Sequence, residues 1–243
     1  MKLVLYFTLG YPSSHSLMEF LETIPPGAVE YIELGFPCTD PKYDGPTIRR
    51  THRHALQGFS EQSVSETVKC ARGVCRKVYA LRYYSDIEKD EGFLERITNI
   101  GFDGIIIPDV LTDYFHDRSG IINRVREAGL EFIPFVNPST PDIVLGEIMS
   151  TTDSWIYYGL LPSTGIMVPY DLSSVRYRLR NAFPGRRIVL GFGIRSPDEA
   201  ARVSSTGQFG IAIGTMLIEH LDSGSSREFV TSILRLKEAI SSV

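Results

Sequence analysis

Cysteine is scarce in this chain: only Cys38, Cys70 and Cys75 occur in 243 residues. An odd number of scattered thiols builds no disulfide framework. Cys70-x4-Cys75 has neither zinc-knuckle nor Cys-x-x-Cys redox spacing, so isolated thiols in a reducing cytoplasm are expected. Long apolar runs are missing too. Gly104-Ile-Ile-Ile-Pro108 and Leu3 to Leu9 are strand-sized, far short of the ~20 residues that span a bilayer. The chain opens on the latter rather than on a basic-then-apolar leader, which points to a soluble protein. Nor does one sign of charge dominate. Lys plus Arg number 25 against 29 Asp plus Glu, a net charge of -4, which gives no reason to expect nucleic acid or an anionic membrane as partner. The basic runs Arg49 to His54 and Arg176 to Arg187 lie beside helical patterns and read as solvated faces. No pair among the five histidines (His15, His52, His54, His116, His220) has a metal-site partner carboxylate at a helical spacing; His52 and His54 read as opposite faces of a helix, hence surface.

What is present is a strand–helix alternation without linker or low-complexity tract. The strands are expected at Leu3–Leu9, Val29–Leu34, Lys77–Tyr83, Gly104–Asp109, Glu131–Val136, Ser154–Gly159, Arg187–Phe192 and Phe209–Gly214. Helical spacing fills the gaps: Leu17–Thr23 capped by Ser14 or Ser16, Ile48–Leu56, Ser63–Val74, Asp86–Asn99, Gly120–Glu127, Pro141–Met149 and Ser173–Ala182. A helix capped by Ser196 with Pro197 in its first turn follows, then Met216–Leu221 and Arg227–Ile240. Several strands are continuous apolar runs, the mark of a parallel sheet covered on both faces. The economical fold is α/β, a single (β/α)8 TIM barrel spanning residues 1–243 as one domain. A doubly wound open sheet is the alternative. It would carry fewer strands and a Gly-x-Gly-x-x-Gly turn that Gly10-Tyr11-Pro12 lacks.

In such barrels chemistry sits at the C-terminal strand ends. Alternation places Val29, Tyr31 and Glu33 on one face of the second strand, so Glu33 is expected to point into the barrel mouth. The loop that follows, Gly35 to Thr47, delivers a second carboxylate, Asp44. Two acids at one rim suit acid/base chemistry; a buried ion pair for Glu33 and a turn cap for Asp44 are the bland alternatives. Thr164-Gly165, Gly191-Phe192-Gly193 and Gly214-Thr215 fall after the last three strands, with a short helix starting beyond them. Unobstructed backbone N–H groups and a helix N-terminus would together form a phosphate cradle, without an arginine clamp.

These residues carry a resemblance. Tyr31-Ile-Glu33-Leu-Gly35-Phe-Pro37 followed by Asp40-Pro41-x-x-Asp44-Gly45-Pro46-Thr47-Ile48 resembles the signature of the tryptophan synthase alpha subunit. Supporting stretches are Phe7-Thr-Leu-Gly10-x-Pro12, Asp103 to Asp109, Thr164-Gly165, Gly191-Phe-Gly-Ile-x-Ser-Pro197 and Gly210 to Thr215. Tyr157-Tyr-Gly-Leu-Leu-Pro-Ser-Thr-Gly165 is similar to the archaeal branch. The resemblance implies a carbon–carbon lyase in tryptophan biosynthesis: retro-aldol cleavage of indole-3-glycerol phosphate to indole and glyceraldehyde 3-phosphate. It implies Glu33 as general acid/base and Asp44 as acceptor of the indole N–H. Tyr6, Leu81, Tyr83, Pro108, Val136, Tyr157 and Thr164 would contact the substrate, and Gly165, Gly193, Gly214 and Thr215 its phosphate. It also implies no cofactor in this chain, pyridoxal phosphate being held by a beta subunit that receives the indole in an alpha-beta-beta-alpha complex. This chain has Pro37-Cys38-Thr39-Asp40 where the family usually has Pro-Phe-Ser-Asp, and Leu161 where many members carry Arg. It begins on the first strand, without the N-terminal helix of bacterial members. A catalytically weak subunit that binds a phosphorylated ligand and activates the beta chain is the alternative reading.

Overall fold

A computed structural model describes residues 1–161 and 171–241. Among these described residues nine parallel strand segments form one sheet. They are β1 (Lys2–Thr8), β2 (Tyr31–Gly35), β3 (Lys77–Leu81), β4 (Gly104–Ile106), β5 (Glu131–Ile133), β6 (Phe135–Val136), β7 (Ile156–Gly159), β8 (Ile188–Gly191) and β9 (Gly210–Ile213). Their order is β5-β4-β3-β2-β1-β9-β8-β7-β6. The two ends of that order are one strand interrupted at Pro134. Its first half pairs with β4 and its second with β7, and the Pro134 carbonyl accepts from Tyr157 N–H at 2.9 Å. Proline has no N–H to give a ladder, so the fifth strand changes neighbour at that residue. The sheet thus closes as an eight-stranded barrel, the architecture expected.

The helices are α1 (Ser14–Glu22), α2 (Pro46–Ala55), α3 (Glu61–Val74), α4 (Tyr84–Ile87), α5 (Phe93–Ile100), α6 (Arg118–Glu127), α7 (Asp142–Thr151), α8 (Leu172–Ala182), α9 (Pro197–Ser204), α10 (Thr215–Ser223) and α11 (Ser226–Ser241). Two local expectations change. The cap of α1 is Ser13, whose hydroxyl accepts from Ser16 N–H, so the helix begins before Leu17. The single helix expected over Asp86–Asn99 is two, α4 and α5, separated by a turn in which Arg82 and Arg96 both bind the Asp90 carboxylate. Ser196 caps α9 through Glu199 N–H with Pro197 in the first turn, as the sequence indicates.

Side chains alternate about the barrel wall. Phe7 faces out against Phe229 of α11, ring centroids 6.1 Å apart, while Tyr6 and Thr8 face in. At the N-terminal end of the strands the interior is filled by aromatics. Tyr31 stacks on Trp155 (5.7 Å, 18°) and on Phe209 (6.2 Å, 29°), and Tyr79 meets the Trp155 ring edgewise. With that floor packed, open space is left at the C-terminal end. The three cysteines are free, and no described helix is long and apolar enough to cross a membrane.

Candidate active site

A cavity of about 550 Å³ opens at the C-terminal end of the barrel. Glu33 and Asp44 both line it, together with Tyr6, Leu81, Tyr83, Pro108 and Tyr157 from strands or strand ends. Its other flank is built from Gly193, Gly214 and Thr215. One volume therefore holds the two acids, the apolar wall and two of the three glycine turns that the sequence groups; Thr164 and Gly165 lie outside the described residues.

Glu33 reaches this cavity because β2 is in register with β1 and β3. Its Cα pairs with Tyr6 on one side and Tyr79 on the other. The side chain is fully buried, and neither Oε1 nor Oε2 has a hydrogen-bond partner among the described residues. Among the described residues no cation is paired with it, which removes the buried ion pair. Burial alone pushes its carboxyl up to about 8, so the group holds its proton at neutral pH. Gly35, two residues on, is required by packing: a Cβ there would lie 2.4 Å from the Tyr6 hydroxyl oxygen.

Asp44 differs in being supported. Its Oδ2 accepts from the Tyr83 hydroxyl at 2.9 Å, and that hydroxyl itself accepts from Tyr43 N–H at 3.1 Å. The Tyr83 proton can therefore only point at the carboxylate. Arg49 braces the backbone beneath, Nε donating to the Asp44 carbonyl at 2.6 Å. Burial raises Asp44 to about 6, opposed by the Tyr83 bond and by the Arg49 charge. One acid protonated and the other ionised at pH 7 is the division of roles that acid/base catalysis uses.

At the opposite flank, Gly193 has φ +87°, and a Cβ there would lie 2.8 Å from Leu161 Cδ1. Gly214 leads into α10, whose first residue is Thr215 and whose leading N–H groups have no partner within the helix. Bare amides with the positive end of a helix suit a phosphate.

The family model for "Tryptophan synthase alpha chain" matches residues 1–241. The chain is 33% identical over 236 residues to the tryptophan synthase alpha chain of Saccharolobus solfataricus, covering 97% of this chain and 95% of that one. Identity to the corresponding protein of Sulfurisphaera tokodaii is 30% over 239 residues, covering 98% and 95%. A solved structure of the tryptophan synthase α2β2 complex of Pyrococcus furiosus superposes with a TM-score of 0.81 at 26% identity, over 97% of each chain. This chain belongs to the tryptophan synthase alpha chain family.

The structure corrects one position that the alpha-chain resemblance implied, Val136, and two readings made from the residues themselves. Val136 is buried but does not line the cavity; Phe135 does, because Pro134 divides the strand and alternation turns residue 135 inward with Ile133. The expectation of an anion site without arginine also changes, since Arg195 and Arg202 line the same cavity beside Gly193. The third concerns His52, read from spacing as a surface residue. It is fully buried beneath the site: Nδ1 accepts from Cys38 N–H at 3.1 Å, and Nε2 lies within hydrogen-bond distance of the Tyr6 hydroxyl oxygen, 3.2 Å away. The buried stripe of α2 is Ile48, Thr51, His52 and Ala55, a helical i, i+3, i+4, i+7 face with two polar residues on it. That stripe is the signal from which His52 could have been found. Thr8, Asp109 and Asn137, also at strand ends, are buried in hydrogen bonds to their neighbours and are not part of the lining. Among the described residues no group of three or more His, Cys, Asp or Glu is placed to hold a metal ion.

Proposed function

We infer that this chain is the carbon–carbon lyase of tryptophan synthesis. It cleaves indole-3-glycerol phosphate to indole and glyceraldehyde 3-phosphate with a single barrel domain over residues 1–243. The observation that carries the reading is the buried carboxyl of Glu33, without a partner among the described residues, in one cavity with Asp44 and an amide-lined anion flank.

The chemistry follows from a protonated Glu33 and an ionised Asp44. Glu33 gives its proton to C3 of the indole ring, and positive charge develops at the ring nitrogen. Asp44 accepts the indole N–H and stabilises that charge across a short, largely dry distance. The Glu33 carboxylate then removes the proton of the hydroxyl on the carbon joined to C3. As the C–C bond breaks, its electron pair returns to the ring, the hydroxyl carbon becomes the aldehyde, and Glu33 is protonated again. Gly193, Gly214 and Thr215 hold the phosphate, with Arg195 and Arg202 adding charge near it. Leu81, Pro108, Phe135 and Tyr157 wall the ring. A beta subunit that takes up the indole completes the proposal, in an alpha-beta-beta-alpha arrangement. The P. furiosus neighbour, described as an α2β2 complex, supports that partner.

The test is indole release from indole-3-glycerol phosphate by the purified chain, with Asp44→Asn as control. Release by the wild type and its loss in the variant are expected. No release from the wild type, alone or with a beta subunit present, contradicts the reading.

A further inference from the structure

The buried polar groups under the cavity form one chain of hydrogen bonds whose direction is fixed at both ends. The first donor is the backbone N–H of Cys38, which can only donate, to His52 Nδ1 at 3.1 Å. The last acceptor is the backbone carbonyl of Ile48, which can only accept, from the Thr51 hydroxyl at 2.7 Å. Between them Thr8 and Thr51 hydroxyl oxygens are 2.6 Å apart, Tyr6 and Thr8 3.2 Å, and Tyr6 and His52 Nε2 3.2 Å. Each hydroxyl has one proton, so only one assignment satisfies every contact. Thr51 gives its proton to Ile48, Thr8 to Thr51 and Tyr6 to Thr8, leaving His52 Nε2–H to point at the Tyr6 oxygen.

The arrangement keeps the ring neutral. A protonated Nδ1 would face the Cys38 amide proton, and burial lowers His52 to about 4 although it sits in the last turn of α2, where the dipole favours a cation. The same Nε2 lies 3.8 Å from Asp44 Oδ2, the oxygen that also receives the Tyr83 hydroxyl. The Tyr83 hydroxyl donates to that oxygen, and the Nε2 edge of the ring, its proton turned to Tyr6, packs beside the same oxygen. No hydrogen bond to Oδ1 is made by the described residues.

We propose that His52, held as its Nε2–H tautomer by this one-way chain, is the positioning residue that sets the Asp44 carboxylate so that Oδ1 is presented to the substrate. The proposal rests on the acceptor role given to Asp44 above. It also ties the turn after β2, through the Cys38 amide, to the acid at the far end of the same loop.

The test has a spectroscopic arm and a kinetic one. In protein labelled with 15N-histidine, the His52 ring (assigned by its disappearance in His52→Asn) is expected neutral with the proton on Nε2 at pH 6. An Nδ1–H or imidazolium signal there overturns the proposal. Asparagine can accept from the Cys38 amide but is too short to reach Tyr6 or Asp44. Folded His52→Asn is expected to lose about tenfold in kcat with KM within about twofold, the upper size of one neutral hydrogen bond. Unchanged kcat in that variant, with Asp44→Asn inactive, overturns the positioning role and leaves the functional reading standing. Full activity in Asp44→Asn overturns both.

Discussion

Tyr6 and Glu33 are register partners on adjoining strands, yet the tyrosine hydroxyl gives nothing to the carboxyl beside it. The Tyr6 hydroxyl is committed to Thr8 and His52, each at 3.2 Å. The site therefore withholds that hydroxyl from the acid, and desolvation acts on Glu33 unopposed.

Glu33→Gln is expected to bind substrate with KM little changed and to lose turnover by roughly 10²–10⁴, the usual share of a general acid/base. The same variant is expected to be more stable. The folded-state pKa of Glu33, about 8, lies above the unfolded value near 4.5, so its contribution is present below pH 4.5 and is lost as pH rises toward 8. Glutamine does not titrate. Thermal denaturation from pH 5 to pH 8 is expected to show an advantage for the variant that grows with pH; a constant difference contradicts the raised carboxyl.

The pH dependence of kcat/KM should be a bell. Asp44 must be ionised, so the rate falls below its value of about 6; Glu33 must be protonated, so the rate falls above about 8. Steady-state assays with the purified chain test both limbs. The alkaline limb should vanish with the residual activity of Glu33→Gln, and an alkaline limb retained there assigns it to another group.

Thr215→Asp separates phosphate binding from folding. An acid in the first turn of α10 suits the helix dipole, so the melting temperature is expected to hold or rise. The same carboxylate faces the cavity flank given to the phosphate, and KM is expected to rise at least about tenfold, equivalent to ~1.4 kcal/mol. An unchanged KM places the phosphate elsewhere.

Gly35→Ala should destabilise the protein by about 1–3 kcal/mol in urea denaturation, the range for overpacking a core. The added methyl would lie 2.4 Å from the Tyr6 hydroxyl oxygen and 2.9 Å from its ring carbons, so the whole ring must shift. A cost below about 0.5 kcal/mol would mean that the ring has room to move.

Much of this was written in the sequence because the barrel converts linear pattern into position. Strand alternation alone turns Glu33 inward, and the order of the loops alone brings Gly193 and Gly214 to one flank. Phe135 escaped because the resemblance pointed to its neighbour Val136, although alternation with Ile133 turns residue 135 inward. His52 escaped for a different reason: a polar residue on an apolar helical stripe reads as exposed until its partners, which come from β1 and the turn at Cys38, are known. Arg195 and Arg202 lie seven residues apart, and only the path of α9 brings both to the cavity.

The protonation of Glu33 can be observed without turnover, as the infrared carbonyl band of a buried carboxylic acid in wild type minus Glu33→Gln. That band should be present at pH 7 and titrate away near pH 8. Its disappearance between pH 4 and 5, as for a solvated carboxylate, would mean that the proton donor on which the cleavage depends is not there.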